Sequence, residues 1–391
     1  MNQKSLLKLN SVAEKVKILR IIPPKKLLST TLTSFNKDFY NRLYKNKKNI
    51  FNFTRVIKIF FVRKISQKDI ATTLNVSRVT VTKALKNHPD IAVKTRELIK
   101  AKAMEMGYIP DFIGRSLVSK RTHTIGIVLP KIAHSFFAYS VEKFYEAAKN
   151  RNYHIIPMIS FEKQDIELVN IQTLLSMRVD GIIIDIASNS TDNANFKIAK
   201  KSGCKILFYD RYPLNSLEQA VVTNDRECAR DLTRLLIEKG YRKICHFAGP
   251  PYLNISVERQ MGYEEAMSEK QLLKYILNVD LQVRDGYEAT KLLAKRKELP
   301  EAIFAVNDSV AHGIYEAADE LGLKIPDDMA IAGFGDIELS KHLNPPLTTI
   351  RIPIKEMTEA AINLLIDMIE NNTDQKERIV FPSTIIVRKS T

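Results

Sequence analysis

Cysteine is scarce. The 391 residues hold three, Cys204, Cys228 and Cys245, and no CxxC pair. An odd, scattered set of thiols excludes a disulfide framework and a cysteine zinc site, and it fits a reduced, cytoplasmic compartment. Long apolar runs are lacking too. No stretch of about 18 or more uncharged apolar residues occurs, so no transmembrane helix is expected. The apolar opening, Leu6 to Leu28, is broken by Lys8, Glu14, Lys15, Lys17, Arg20, Lys25 and Lys26. It offers no small-residue cleavage site, so no signal peptide is expected. The phosphate loop GxxxxGK[ST] is absent, as are GxSxG, HExxH and GxGxxG. His88, His123, His134, His154, His246, His312 and His342 are scattered, without metal-ligand spacing. No cofactor and no metal are therefore expected, and the chain does not read as an enzyme.

Positive charge, by contrast, is abundant and uneven. The net charge is +16. Residues 1–64 carry 16 Lys/Arg against Glu14 and Asp38, and contain no glycine and one alanine. Residues 65–121 carry 11 Lys/Arg against 5 acids, whereas residues 122–391 carry 33 against 37. A short basic module thus precedes a mildly acidic body, and such a module invites a polyanion. Residues 1–64 admit three readings. They are a basic arm for nucleic acid, a membrane-surface segment around Ile50 to Val62, or translated upstream DNA, with Val62 marking a GTG start. The last is the expectation carried forward, with no membrane partner.

The stretch IATTLNVSRVTVTKAL, Ile70 to Leu85, contains the β-branched run Val79-Thr80-Val81-Thr82, which favours strand by propensity. Yet Ile70, Ala71, Leu74, Val81 and Leu85 fall at helical spacings. Ser66 can cap a first helix to Leu74, with Asp69 at the capping-box position. Asn75 suits a left-handed turn residue, Val76 enters the core, and Ser77 can cap a second helix to about Leu85. Two short helices joined by a tight turn form a helix-turn-helix. A second helix lying in the DNA major groove explains the β-branched run, because short stiff side chains let the backbone approach base edges. Val79 offers methyls to thymine, and Thr80 and Thr82 offer hydroxyls. Arg78 and Lys83 can donate to guanine O6 and N7, and Ser77 completes the DNA-binding set. A third helix, Val93 to Met106, ends at Gly107.

Taken in order, ISQKDIATTLNVSRVTVTKAL, NHPDIAVKTRELIKAKAMEMGYIPDFIGRSL and THTIGIVLP resemble the amino-terminal signature of the LacI/GalR, or lactose-repressor, family of bacterial transcription regulators. The resemblance covers essentially all of 65–391. It implies that Pro110 to Leu117 is a hinge helix. That helix folds on operator DNA, pairs with its dimer mate and wedges Leu117 into the minor groove. Elementary physics agrees: the segment is too short for a stable isolated helix, and Gly114 costs roughly 1 kcal/mol against Ala. The opposing reading is a plain linker.

From Thr124 onward, the runs TIGIVL, YHIIPMI, GIIIDI, KILFYD and AVVTN, then KICHFAG, AIFAVND and MAIAGFG, alternate with amphipathic helices. Repeated βα units mean parallel sheets with right-handed crossovers. The fold class is thus an all-α helix-turn-helix domain followed by an α/β body of two lobes. The resemblance makes that body a periplasmic-binding-protein-like sensor closing on a ligand. The expected domains are a basic extension (1–64), the helix-turn-helix (65–109), a hinge (110–121) and an effector-binding and dimerisation body (122–391). Lobe 1 is expected at 122–223 plus 351–373, and lobe 2 at 224–350 plus 374–391. The last strand, near Ile379–Val387, is assigned to lobe 2.

Ligands of open parallel sheets bind at strand carboxyl ends. The resemblance places effector contacts at Asp185, Asp210, Arg259 and Asn307; Phe137 and Asp336 are further candidate effector residues at the same end of the strands. Asp, Asn and Arg suit a polyhydroxylated ligand, since each can pair two adjacent hydroxyls; Asp210, Asn307 and Asp308 can equally be helix caps or loop supports. Two departures from the family pattern bear on the ligand. Gly333-Phe334-Gly335-Asp336 replaces GFDD or GYDN, so one carboxylate is lost or displaced by a residue. Lys131-Ile132-Ala133-His134-Ser135-Phe136-Phe137 replaces D-x-x-N-P-F-F. Lys131 and His134 with Arg259 hint at a sugar acid or sugar phosphate. The expected partners are a palindromic double-stranded operator, a small carbohydrate-like effector and a second copy of the chain, as a dimer or a dimer of dimers. Alternatives are a family regulator answering to a protein corepressor and, more remotely, a solute-binding protein. The hinge reading predicts that Leu117→Ala keeps nonspecific DNA binding and loses most operator preference, measured by gel shift. Unchanged operator affinity would count against the wedge.

Overall fold

The computed structural model describes residues 65–109, 121–187, 194–214, 219–371 and 378–391. The basic extension, the hinge segment 110–120 and Leu117 lie outside the described residues. The chain divides into two compact units at Pro110/Asp111.

The first unit holds α1 (Gln67–Leu74), α2 (Arg78–Leu85) and α3 (Val93–Glu105). Both halves of the Ser66/Asp69 capping box form: Ser66 N donates to Asp69 Oδ2 at 2.8 Å, and Asp69 N donates to Ser66 Oγ at 3.3 Å. Asn75 takes φ 54°, turning the chain within one residue, and Thr80 N donates to Ser77 Oγ at 3.0 Å to open α2. Ile70, Ala71, Val81, Ala84, Ile99 and Ala103 are buried together. Tertiary packing therefore holds the β-branched helix that propensity alone would not. Burial of Ile99 and Ala103, four residues apart, fixes the inner face of α3 and leaves Val93 and Leu98 exposed.

The second unit contains two parallel sheets. The first has the order β2-β1-β3-β4-β5-β11, from β1 (Thr124–Leu129), β2 (His154–Ile159), β3 (Gly181–Ile184), β4 (Lys205–Tyr209), β5 (Ala220–Thr223) and β11 (Arg378–Phe381). The helices α4 (Ser135–Asn150), α5 (Gln164–Ser176) and α6 (Ala194–Lys201) connect its strands, and the returning helix α11 (Ile354–Asn371) packs on α4, β3, β4 and β5. After α7 (Asp225–Glu238), the second sheet has the order β7-β6-β8-β9. It is built from β6 (Ile244–Ala248), β7 (Tyr275–Asn278), β8 (Ala302–Ala305) and β9 (Ala330–Ala332). The helices α8 (Asn254–Glu269), α9 (Val283–Arg296) and α10 (Asp308–Leu321) join these strands. β10 (Thr349–Arg351) pairs antiparallel with β12 (Thr384–Ile386).

The assignment of residues 374–391 to the second lobe needs correction in part. Residues 378–381 pair with β5 in the first sheet, Ile379 opposite Val221; the end of the chain does join the second lobe, where Ile331 N donates to Ser390 O at 2.8 Å and Thr348 N to Ser390 Oγ at 2.8 Å. An edge strand with half-exposed residues carries little sequence signal for one lobe over the other. Each sheet reverses its winding at its first strand, between β1 and β3 and between β6 and β8. Crevices at such reversals are where open α/β sheets bind ligands.

In the second lobe α9 and α10 approach at backbone distance. A Cβ on Gly313 would lie 1.8 Å from Val283 O, and one on Gly286 would lie 2.1 Å from Val310 O. Gly313→Ala is therefore expected to destabilise the protein by about 1–3 kcal/mol, the cost of overpacking. A lowered midpoint in thermal or urea melts checks this, and an unchanged midpoint would mean that the helices separate freely.

Candidate functional site

On the first unit, α2 turns Val81 and Ala84 inward and Arg78, Val79 and Lys83 outward. Val79 is 64% exposed, unusual for an apolar side chain on a packed helix. Ser77 and Arg78 are exposed beside it at the helix N-terminus, where backbone N–H groups favour phosphate. The threonines are less free than expected. Thr80 Oγ1 lies 2.8 Å from Ser77 Oγ, within the cap. Thr82 Oγ1 is 2.7 Å from Gln67 Oε1 and 2.9 Å from Arg78 O, so its single proton stays inside the protein. Lys83 is tied to Asp90 at 2.6 Å.

On the second unit, the carboxyl ends of both sheets meet across a narrow cleft of about 50 Å³. Lys131 and His134 follow β1, Glu162 follows β2, and Asp210 and Arg211 follow β4. From the other lobe come Arg259 on α8, Gln282 before α9, Asn307 and Asp308 after β8, and Phe334 after β9. Phe136 and Phe137 form an apolar wall, their rings 5.2 Å apart edge to face. The lobes touch through polar groups. Lys131 Nζ donates to Gln282 Oε1 at 2.7 Å, His134 Nε2 lies 3.0 Å from Ser309 Oγ, and Asn254 bridges Tyr212 N and the Asp210 carbonyl.

Arg259 is buried. Nε and Nη2 reach Asp225 Oδ1 at 2.9 and 2.8 Å, Nη1 donates to Val306 O at 2.8 Å, and the guanidinium lies 3.6 Å over the Phe334 ring. Arg211 is buried too. Its Nη1 meets Glu162 at 3.2 Å, while Nε stands 3.6 Å from Asp185 Oδ1, beyond hydrogen-bond length. Burial opposes the Arg211 charge, but Glu162, Asp185 and Asp210 outweigh it and raise its pKa. Asp185 is fully buried and neither carboxylate oxygen has a hydrogen-bond partner. Burial raises its pKa well above the carboxylate range. Burial, with Asp225 adding, pushes Asp210 up to about 6. His134 is pushed down to about 4 by burial, then by Arg211 and Lys131, so its ring is neutral at pH 7.

Four of the six expected effector residues line this cleft: Phe137, Asp210, Arg259 and Asn307. Asn307 is also the cap of α10, accepting from Val310 N at 2.8 Å. Two do not line it. Asp185 sits behind Arg211. Asp336 is locked between Arg351 and Arg388, 2.6 Å from each, and so braces β10 against the C-terminal strand segment. Asp308 holds the place beside the Gly335 loop instead. Its carboxylate accepts from Ser340 Oγ and Thr349 Oγ1, both at 2.6 Å, and from Ile337 N at 3.0 Å. The sequence reading missed Glu162, Asp225 and Phe334. The signal for the first two was available, since each follows a strand, β2 or β5, at its carboxyl end.

Residues 66–111 match the family described as bacterial regulatory proteins, lacI family, and residues 233–391 match the periplasmic binding protein-like domain. The NTD biosynthesis operon regulator NtdR of Bacillus subtilis (strain 168) is 31% identical over 327 residues, 83% of this chain and 98% of that protein. The chain belongs to the LacI family of bacterial regulatory proteins. The ribose operon repressor of Halalkalibacterium halodurans is 28% identical over 324 residues, 83% of this chain and 96% of its own. Among solved structures, the Lac repressor dimer bound to operator and the anti-inducer ONPF aligns with a TM-score of 0.76 at 21% identity. The alignment covers 84% of this chain and 99% of that one, a likeness of fold. As a LacI-family member the chain is a DNA-binding transcriptional regulator, and its relatives are regulators, not enzymes. No helix among the described residues is long and apolar enough to cross a membrane.

The cleft of this LacI-family chain stores a cost. A raised Asp210 pKa means that the folded state binds a proton more tightly than the unfolded chain. Stability therefore falls as pH rises from about 4 through about 6, and the penalty is complete above that. Asp210→Asn is expected to stabilise the ligand-free protein at pH 8 by about 1–3 kcal/mol, with the gain shrinking toward pH 4. Thermal melts across that range check it; a gain independent of pH would assign the effect to something other than the charge.

Proposed function

We propose that this regulator is a cytoplasmic, dimeric repressor of a palindromic operator, released or tightened by a small neutral polyhydroxylated effector bound between the lobes. The observation that carries the reading is a set of buried polar atoms without partners among the described residues around one cleft: His134 Nδ1, Asp210 Oδ1 and Arg211 Nε. A buried polar atom without a hydrogen bond costs roughly 1–3 kcal/mol, and a ligand bearing hydroxyls would satisfy both donors and acceptors. The apolar wall of Phe136 and Phe137 suits the carbon face of a sugar ring. The H. halodurans relative is a ribose operon repressor, which supports a carbohydrate.

Charge argues against an anion. Arg259 is neutralised by Asp225, Arg211 faces Glu162 and Asp185, and His134 is neutral at pH 7. Of the three groups that hinted at a sugar acid or sugar phosphate, only Lys131 retains a positive charge without a carboxylate partner among the described residues. In this reading ligand occupancy shifts the angle between lobes, the shift changes hinge pairing at 110–117, and operator affinity follows. That link is a coupling free energy between two sites.

A thermal-shift panel of neutral pentoses and hexoses, sugar acids and sugar phosphates at millimolar concentration tests the effector class. A ligand at about 100 times its dissociation constant adds roughly 2.7 kcal/mol, which is readily seen. A shift from neutral sugars is expected. Shifts confined to acids or phosphates would overturn the charge argument, and no shift from any class would favour a protein corepressor.

A further inference from the structure

Lys83 and Val79 are one helical turn apart on the outward face of α2. The Lys83 ammonium donates to Asp90 Oδ2 at 2.6 Å. Asp90 stands in the segment between α2 and α3, which folds back on the helix: His88 N donates to Lys83 O at 2.9 Å, and His88 Nδ1 lies 3.4 Å from Asp90 Oδ1. The pair is open to solvent, Lys83 being 38% and Asp90 54% exposed in their side chains. Arg78 at the start of the helix and Lys86 at its C-cap are exposed and have no carboxylate partner among the described residues. One cation of this surface is thus neutralised in place, while its neighbours are not.

The sequence-independent part of DNA affinity comes from cations that replace counterions on phosphates. A lysine already paired with a carboxylate brings no net charge to that exchange. It still has three N–H donors, and Asp90 takes one. The others remain for guanine O6 and N7, which are neutral acceptors that a paired ammonium can meet without losing its carboxylate. We propose that Asp90 is a specificity-determining residue: it orients Lys83 for a base edge and withholds it from backbone phosphate, lowering affinity for nonoperator DNA.

The test uses the full chain and a random-sequence duplex, with binding followed by fluorescence anisotropy between about 50 and 200 mM salt. Wild type, Asp90→Asn, Lys83→Gln and the double variant are compared after melts show that all four fold. Wild-type binding is the baseline, so a loss of DNA binding as such is read separately. Asp90→Asn is expected to tighten binding several-fold. It is also expected to steepen the slope of log K against log salt by about 0.9, the value for one added phosphate contact. Lys83→Gln alone is expected to weaken binding by unmasking the Asp90 charge while leaving the slope unchanged, and in its background Asp90→Asn should restore affinity without steepening the slope. The proposal fails if Asp90→Asn leaves the slope of the Lys83-containing protein unchanged, as the mere loss of a repulsive charge would. It also fails if Lys83→Gln by itself makes the slope shallower by about one contact.

Discussion

The second unit is organised around one buried ion pair. Arg259 and Asp225 are each almost fully removed from water, and a buried guanidinium is tolerable only where its donors are met. Asp225 is the first residue of α7, directly after the strand that ends the first lobe's run, and Arg259 comes from the second lobe. Val306 O and the face of Phe334 complete the arginine's surroundings. The pair therefore joins the crossover between lobes to the floor of the cleft. Breaking such a pair by removing one partner costs about 3–5 kcal/mol, so the two groups act as one structural element. Whatever rotates the lobes must move both, and whatever occupies the cleft meets an arginine already held.

Around that fixed pair the cleft keeps groups that are not held. Among the described residues, His134 Nδ1, Asp210 Oδ1 and Arg211 Nε have no hydrogen-bond partner, and behind them neither oxygen of Asp185 has one. Packed domains rarely leave such groups in their interior unless they have a use. Here they collect at the strand carboxyl ends, opposite both winding reversals. The carboxylate that the family pattern places after β9 is not in the cleft. Asp336 is consumed by two arginines, and Asp308, one residue past the cap of α10, supports the Gly335 loop with a fully satisfied carboxylate. Two aspartates that read alike in the sequence thus serve as braces, while Asp210 stays uncompensated.

The recognition helix follows a different economy of forces. It is short, its residues favour strand, and its stability derives from Val81 and Ala84 against α1 and α3. The outward face then carries an exposed valine, an arginine with no carboxylate partner among the described residues and a lysine held by a neighbouring carboxylate. Exposed ion pairs contribute little to folding. The Lys83–Asp90 contact is accordingly better understood by what it does to the charge offered to DNA.

The sequence by itself determined the order of elements. Capping residues at 66 and 77, the left-handed Asn75, helical spacing in α1 to α3 and the apolar runs of β1 to β6, β8 and β9 are local signals, set by backbone sterics and side-chain periodicity; the short, half-buried β7 was not read from them. The likeness to the LacI family was legible separately, as a resemblance carried by the motifs from the helix-turn-helix through TIGIVLP. Only the tertiary structure decided which polar residues reach the cleft. Asp185, Asp210, Asp308 and Asp336 all follow strands, and nothing local separates a ligand group from a brace. The choice depends on partners far along the chain: Arg211, Arg259, Ser340, Thr349, Arg351 and Arg388. The same holds for β11, whose half-exposed residues fit either lobe until the edge of the first sheet offers β5 as its partner. Periodicity is a property of neighbours in sequence, whereas electrostatic compensation is a property of neighbours in space, and the function of this cleft rests on the second.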